Sequence, residues 1–412
     1  MTIWMEELCR SLEGVMKRIN VVGVFPGRIP IQETIECIND SDIIFSGARN
    51  MYLFKSSGKT MVKIGEFKKF QEDLTSAYNA GKVITVIATG DPLFYGIGKY
   101  ITDNYKPDEV NIIPEVSSIQ VALSKIALDS TGICTVSLHG RPLKGLAQKV
   151  RNKNKVCIFT DNINTPRIIA KYMVRFGLTS YRAHIFENLG YENERISSFS
   201  INELVDREFE PLNLIILTSE NNYKISIPDD DMFVRYKGNI TKQEIRNISL
   251  SDLEINDGET LWDVGSGSGS VAIAASFQNW NGDIYAVEKS TELCGNIQTN
   301  MEMCATDINI INGMAPDALH DLPDPDCVFI GGSSGKIMDL MDYSYARMRT
   351  NGRLVINITT IENLEKAIDY IESRNLKAEI RQINISKLMP VSKYKRFVPM
   401  DQIYIIKVVK NE

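Results

Sequence analysis

The ten-residue segment Leu261-Trp262-Asp263-Val264-Gly265-Ser266-Gly267-Ser268-Gly269-Ser270 constrains this chain more than any other. It is an apolar run, then a glycine-rich turn, then residues that open a helix near Val271. Glycine lets a backbone turn tightly and approach another group closely, and the start of a helix offers unpaired N–H groups. A strand that feeds such a turn opens a βα unit, so the segment predicts a sheet with helices packed on it. The spacing is G-x-G-x-G with Asp263 two positions ahead, which differs from the G-x-G-x-x-G of a dinucleotide fingerprint. The next apolar run ends Tyr285-Ala286-Val287-Glu288, placing a carboxylate 19 residues beyond Gly269.

The 412 residues are enough for two or three domains, and apolar runs alternate with turns and helix-length segments along most of them. Strands are expected at 19–24, 43–45, 83–88, 110–113, 156–159, 183–187 and 212–217, with helices over 67–80 and 117–127. A second βα series gives strands at 261–264, 283–287, 308–312, 327–330, 353–358, 377–385 and 402–408. No long helix separates the last two, which therefore read as an antiparallel pair. Between the series, the polar stretch around Pro228 and its three consecutive aspartates is the best linker. The expected organisation is an N-terminal extension over 1–18, a first domain over 19–220, a linker over 221–236 and a second domain over 237–412. Both domains are of the α/β class.

Several function classes are excluded by composition. At 43% hydrophobic and 24% charged the chain is a globular one, and its longest apolar runs fall far short of the roughly 20 residues that span a bilayer. The first 18 residues lack the apolar centre of a signal peptide, so a cytoplasmic protein is expected. The net charge is -6, with 27 basic and 25 acidic residues up to residue 225 and 19 and 27 after it. A general nucleic-acid binder shows the opposite excess. Seven cysteines, with no C-x-x-C pair and no histidine at ligand spacing, predict reduced structural thiols and no metal site.

The glycine segment resembles the first motif of class I S-adenosylmethionine-dependent methyltransferases, in which the acid after the second strand accepts hydrogen bonds from the ribose hydroxyls. With Lys237 to Arg246, the stretch Ala315-Pro316-Asp317-Ala318-Leu319 and the stretch Phe329-Ile330-Gly331-Gly332-Ser333-Ser334-Gly335, the second domain is similar to the decarboxylating C-15 methyltransferases of the corrin (cobalamin) pathway. That resemblance implies a Rossmann-like fold in which Thr241, Gly265, Ser266, Gly267, Ser268, Gly269, Glu288 and Ala315 line the methyl donor, with Gly331, Gly332 and Ser333 near the substrate. Met314 stands where the family often has a small polar or acidic residue.

The first domain resembles the tetrapyrrole methylase family, in its corrin C-5 branch. The resemblance rests on Ile19 to Gly27, Ala88 to Gly96, Pro114 to Gln120, Ser137 to Pro142 and Glu187 to Ile196. It implies a two-lobed fold with the donor in the cleft, beside Pro26, Gly90, Asp91, Leu93, Ser117 and Ser118. Phe25 replaces the family's usual glycine and would either narrow the substrate mouth or pack under the loop. The order of the two halves is that of the fused corrin C-5,15-methyltransferases. Such enzymes methylate a corrin precursor, (cobalt-)precorrin-6B or its successor precorrin-7, at C-5 and C-15, and decarboxylate the C-12 acetate arm. A tetrapyrrole substrate, a homo-oligomer and no membrane or nucleic-acid partner follow as expectations, with an RNA methyltransferase or a non-catalytic donor- or tetrapyrrole-binding protein as the alternatives.

Methyl transfer from a sulfonium asks chiefly for alignment, so no general-base signature is expected, and no residue is assigned as catalytic. A polycarboxylate substrate needs Arg or Lys donors, for which Arg141 is the first candidate. Lys242 and Arg246 are either further donors or a solvated helix face. His139 reads as a loop residue, Asp263 as a brace for the glycine turn, and Met338, Met341, Tyr343 and Tyr345 as core or as the floor of a flat pocket.

Overall fold

In the computed structural model, residues 18–219, 224–237 and 239–411 are described. The expected extension over 1–18 therefore lies, Arg18 apart, outside the described residues, as do positions 221–223 of the expected linker.

The first sheet holds β1 (Ile19–Val24), β2 (Ile43–Gly47), β3 (Thr60–Ile64), β4 (Ile84–Thr89) and β5 (Val110–Ile113) in the order β3-β2-β4-β1-β5, all parallel. Every residue of β1 is buried. Its apolar residues, interrupted only by Asn20 and Gly23, are what a central parallel strand needs, because helices cover both faces. The second sheet comprises β6 (Cys134–Ser137), β7 (Lys155–Phe159), β8 (Tyr181–Glu187), β9 (Arg195–Ser200) and β10 (Asn213–Ser219) in the order β6-β7-β10-β8-β9. Only β6 and β7 run parallel there; the other pairs are antiparallel.

The third sheet adds β11 (Leu261–Val264), β12 (Ile284–Glu288), β13 (Asn309–Asn312), β14 (Cys327–Ile330), β15 (Arg353–Ile358) and β16 (Ala378–Ile383), closed by β19 (Ile403–Val409). Its order is β13-β12-β11-β14-β15-β19-β16, with β19 antiparallel to both neighbours. The expected terminal antiparallel pair is thus present. A hairpin that sequence reading missed, β17 (Ser386–Val391) with β18 (Tyr394–Pro399), is inserted between its two strands and forms a sheet of its own. No helix among the described residues is long and apolar enough to cross a membrane.

The stretch expected to link the two series is docked. Phe233 is buried in the core of the third-sheet unit, and the Asp230 carboxylate accepts hydrogen bonds from the Gln243 N–H (3.1 Å) and the Arg246 guanidinium (3.1 Å). Arg246 is correspondingly 0% exposed, so it belongs to no solvated helix face.

The two units meet at Arg151, whose guanidinium is buried between them. It donates to the carbonyls of Ser276 (2.9 Å) and Cys304 (2.9 Å) and to the Thr306 hydroxyl (2.6 Å), and it lies 3.5 Å from the centroid of the Phe277 ring. The acceptors sit where the helices Ser270–Ala275 and Thr291–Met303 end, which is where helix carbonyls lack intrahelical partners. Burial pulls the Arg151 pKa down to about 10, so the group stays charged at neutral pH. Beside it, Asp307 accepts from the Tyr172 hydroxyl (2.8 Å) and the Gly145 N–H (3.1 Å), while its own N–H donates to Gln148 (2.9 Å). Ala305 completes the join by entering the apolar core that contains Val150, Met173 and Phe176.

Removing a buried, fully hydrogen-bonded charge strands its partners. Arg151→Ala is expected to lower stability by about 2–4 kcal/mol, against less than about 0.5 for an exposed arginine. The midpoint of urea unfolding at constant slope checks it.

Candidate functional site

Two clusters form at the C-terminal ends of parallel strands, where open α/β sheets leave crevices. In the third sheet, β11 stops at Val264 and the chain turns through Gly265, Gly267 and Gly269, with φ of 71°, 59° and 77°. These are left-handed conformations that favour glycine. A Cβ on Gly265 would lie 2.6 Å from the Gly332 carbonyl oxygen, so the loop after β14 packs backbone to backbone on the turn. A Cβ on Gly269 would meet the Ile297 side chain at 2.9 Å, which lets the helix Thr291–Met303 close on the turn's far side. Gly267 differs, since a Cβ there would meet nothing within 4 Å. Its backbone faces open space.

Asp263 fastens this turn. One carboxylate oxygen accepts from the Ser266 hydroxyl (2.6 Å) and the Ala272 N–H (3.1 Å), and the other is buried without a partner. Burial pushes its pKa up to about 6, with the nearby Glu288 charge adding to the effect. Glu288 ends β12 and accepts from the Gly267 N–H (3.0 Å) and the Ser290 N–H (3.0 Å), one on each oxygen. Each oxygen keeps a lone pair. Ala315 is placed nearby because the Gly313 N–H donates to the Glu288 carbonyl (3.0 Å). Ser333 and Ser334 follow Gly332, and Lys289 donates to the Ser334 hydroxyl (2.9 Å), tying that loop to the end of β12. The Ser268 hydroxyl is enclosed, and Thr241 turns its carbonyl to Arg246 (2.9 Å). Met314 is exposed; of the Met/Tyr group, Met341 is core, Tyr343 and Tyr345 are half-buried on that core, and Met338 is exposed. The strand-end carboxylate of Glu288, the bare Gly267 backbone and the close Gly265–Gly332 approach leave a crevice that fits an adenosyl group.

The second cluster is a cleft of about 730 Å³ between the first two sheets. Pro26, Asp91, Leu93, Ser117, Ser118 and Arg141 line it, so the structure gathers residues expected from four separate segments. Gly90 stands just behind, with φ 72° and its N–H on the Val24 carbonyl (2.8 Å). Ser117 caps the helix Ser118–Lys125 in a reciprocal pair with Gln120, exposing that helix's start to the cleft. Phe25 is 4% exposed and packs under the Gly190 turn with Cys157, Phe186 and Leu189, and it also lines the cleft. His139 lines the cleft. Sequence reading missed Arg49 and Phe159 in the wall and gave no role to Phe94 and Tyr95; a lone arginine in a short loop carries no pattern that would flag it. Among the described residues no group of His, Cys, Asp or Glu could hold a metal ion.

A doubly wound sheet with an acid-braced glycine turn, joined to a two-lobed α/β unit with an interlobe cleft, defines a pair of S-adenosylmethionine-dependent methyltransferase units in one chain. Residues 32–205 match the family described as tetrapyrrole (corrin/porphyrin) methylases, and residues 231–410 match the precorrin methyltransferase domain. The chain is 28% identical over 367 residues to the precorrin-6Y C(5,15)-methyltransferase [decarboxylating] of Sinorhizobium sp, covering 87% of this chain and 88% of that one. It is 31% identical to the cobalt-precorrin-7 C(5)-methyltransferase of Salmonella typhimurium (49% of this chain, 99% of that one). It is also 31% identical to the probable cobalt-precorrin-6B C(15)-methyltransferase (decarboxylating) of Sulfurisphaera tokodaii (44% and 95%). The chain belongs to the decarboxylating precorrin C-5,15-methyltransferase family of cobalamin biosynthesis.

The two glycines separate fold from binding. Gly265→Ala has no backbone room and is expected to cost about 3 kcal/mol or more in unfolding free energy. Gly267→Ala should cost only about 1 kcal/mol yet weaken donor binding at this site by roughly tenfold or more, read by calorimetric titration. Asp263 makes a pH test. The unfolded chain ionises this carboxyl near pH 4 and the folded chain only near pH 6, so its burial costs nothing below pH 4, a growing amount between 4 and 6, and its full cost above. Asp263→Asn should therefore gain thermal stability relative to wild type as pH rises from 4 to 6, and a melting series across that window checks it.

Proposed function

We propose that this chain methylates a corrin precursor twice, at C-5 in the first unit and at C-15 in the second, and releases the C-12 acetate carboxyl as carbon dioxide. The domains run over 19–220 and 237–412, with 221–236 between them. The observation that carries the reading is the pairing of two unlike donor-type crevices in one chain, each in the half that resembles the corresponding single-activity relative.

In the second unit, Gly265 to Gly269, Glu288, Thr241 and Ala315 hold the donor, and the loop Gly331 to Ser333 faces the substrate. In the first, Pro26, Gly90, Asp91, Leu93, Ser117 and Ser118 hold it, with Arg141 toward the substrate. The donor supplies a methyl on a sulfonium sulfur, whose C–S pair departs with the thioether. The protein's part is to hold a nucleophilic ring carbon in line with that bond and to exclude water. The glycine turn does this through backbone, which offers N–H groups without side-chain bulk. Decarboxylation needs a carboxylate drawn out of water beside a ring system that accepts the electron pair, so the macrocycle supplies the sink.

The protein acts in the cytoplasm on this small molecule, with no nucleic-acid or membrane partner, and forms a homo-oligomer. The β17–β18 hairpin supports the last point: a lone two-stranded ribbon is marginal in water, and this one exposes Leu388, Met389, Tyr394 and Phe397.

Mass spectrometry after incubation with S-adenosylmethionine and precorrin-6B, metal-free or with cobalt, tests the reading. The expected product is heavier by two methyls and lighter by one carbon dioxide; an unchanged mass with both forms would sink it.

A further inference from the structure

Tyr95 adopts φ 55°, a backbone region that a bulky aromatic residue rarely enters. The turn that carries it has no slack. A Cβ on Gly96 would lie 2.4 Å from the Pro92 carbonyl oxygen, and one on Gly98 would lie 2.6 Å from the same atom. Burial does not repay the strain, since Tyr95 is 51% exposed. Strain held in this way by an exposed side chain points to a function for that side chain.

What Tyr95 touches indicates which function. It leaves the first lobe after β4, and its hydroxyl donates to the Thr135 carbonyl on β6 of the second lobe at 3.2 Å. Its ring lies 5.7 Å from Phe159 and 5.1 Å from Phe94, so three rings form one wall of the cleft. The Arg141 guanidinium sits 5.9 Å from the Tyr95 centroid, within cation–π range. Arg141 makes no salt bridge among the described residues, and neither does Arg49, which enters the same cleft from the loop after β2. Lys99 adds a third cation, already paired with Asp103 (2.9 Å). Asp91 is the one acid in the lining, and one of its oxygens accepts the Leu93 N–H (2.8 Å). An aromatic wall next to uncompensated arginines suits a flat, multiply carboxylated ligand.

We propose that Tyr95 is a positioning residue for substrate recognition: it spans the two lobes and holds Arg141 over the cleft so that the guanidinium meets a peripheral carboxylate of the macrocycle. This rests on the reading that the first unit methylates such a macrocycle. An arginine free in solution samples many rotamers, and binding must freeze them; one parked on an aromatic face has lost much of that freedom beforehand. Tyr95 thus acts through Arg141, and the Phe94, Tyr95 and Phe159 rings shape the surface against which the ring system lies.

The test is C-5 methylation of cobalt-precorrin-7 by the full chain, with C-15 methylation of cobalt-precorrin-6B by the same preparation as internal control. Tyr95→Leu and Arg141→Ala should each raise the KM for cobalt-precorrin-7 by about tenfold, with kcat within about twofold. Donor affinity and the C-15 rate should be unchanged. Because the two residues act in series, the double variant should be no worse than Arg141→Ala alone. Tyr95→Phe, which keeps the ring, should lie nearer wild type than Tyr95→Leu. An unchanged KM in Tyr95→Leu, fully multiplicative effects in the double variant, or a loss of donor affinity in Tyr95→Leu would each overturn the proposal. Failure of the wild-type chain to methylate C-5 of either cobalt-precorrin-7 or metal-free precorrin-7 would instead defeat the reading on which it rests.

Discussion

Backbone meeting backbone, with no space for a Cβ between, is the constraint on which both crevices depend. In the third sheet it is Gly265 against Gly332; in the first it is Gly23, where a Cβ would lie 2.2 Å from the Gly90 carbonyl oxygen and 2.5 Å from the Glu115 N–H. These contacts bring loops from neighbouring strands together at the C-terminal edge of a sheet. The acids then have fixed places to work from. Glu288 reaches the Gly267 N–H only because β11 and β12 run in register up to Val264 and Val287. Asp263 can brace the turn from below because β11 buries it completely, and its raised pKa is the electrostatic cost of that placement.

Much of this was legible in sequence because buried parallel strands advertise themselves as unbroken apolar runs. β14 reads that way throughout, and β1, β4, β11 and β15 do so with one or two polar residues in each. The strands that were missed, β3, β6 and β9, are sheet-edge strands that are at best half-buried, and in β9 the run Arg195 to Ser200 has only Ile196 and Phe199 as large apolar residues. Their pairing comes from a neighbour already in place, which no local pattern records. The β17–β18 hairpin falls in the stretch between the two expected strands and was left unassigned, because it pairs only with itself and its apolar residues are exposed.

The site divides along the same line. Gly265, Gly267, Gly269 and Glu288 stand out because their spacing follows from one βα unit. Arg49, Phe159 and the lobe-spanning contact of Tyr95 depend on how two sheets face each other, and residues 40 or more positions apart had to be brought together first. Arg246 shows the converse. A helical arginine reads as surface, yet the Asp230 that neutralises it lies 16 residues away in a stretch that looked like linker.

The junction at Arg151 has a consequence for how such a chain can be divided. Its guanidinium satisfies carbonyls at the ends of the two helices that pack behind the glycine turn, and Ala305 is seated in the neighbouring unit's core. A second unit cut free at the linker would turn those carbonyls and that alanine outward and would have to rehydrate them. Fusion of the two activities is in this sense written into surface chemistry as well as into chain connectivity.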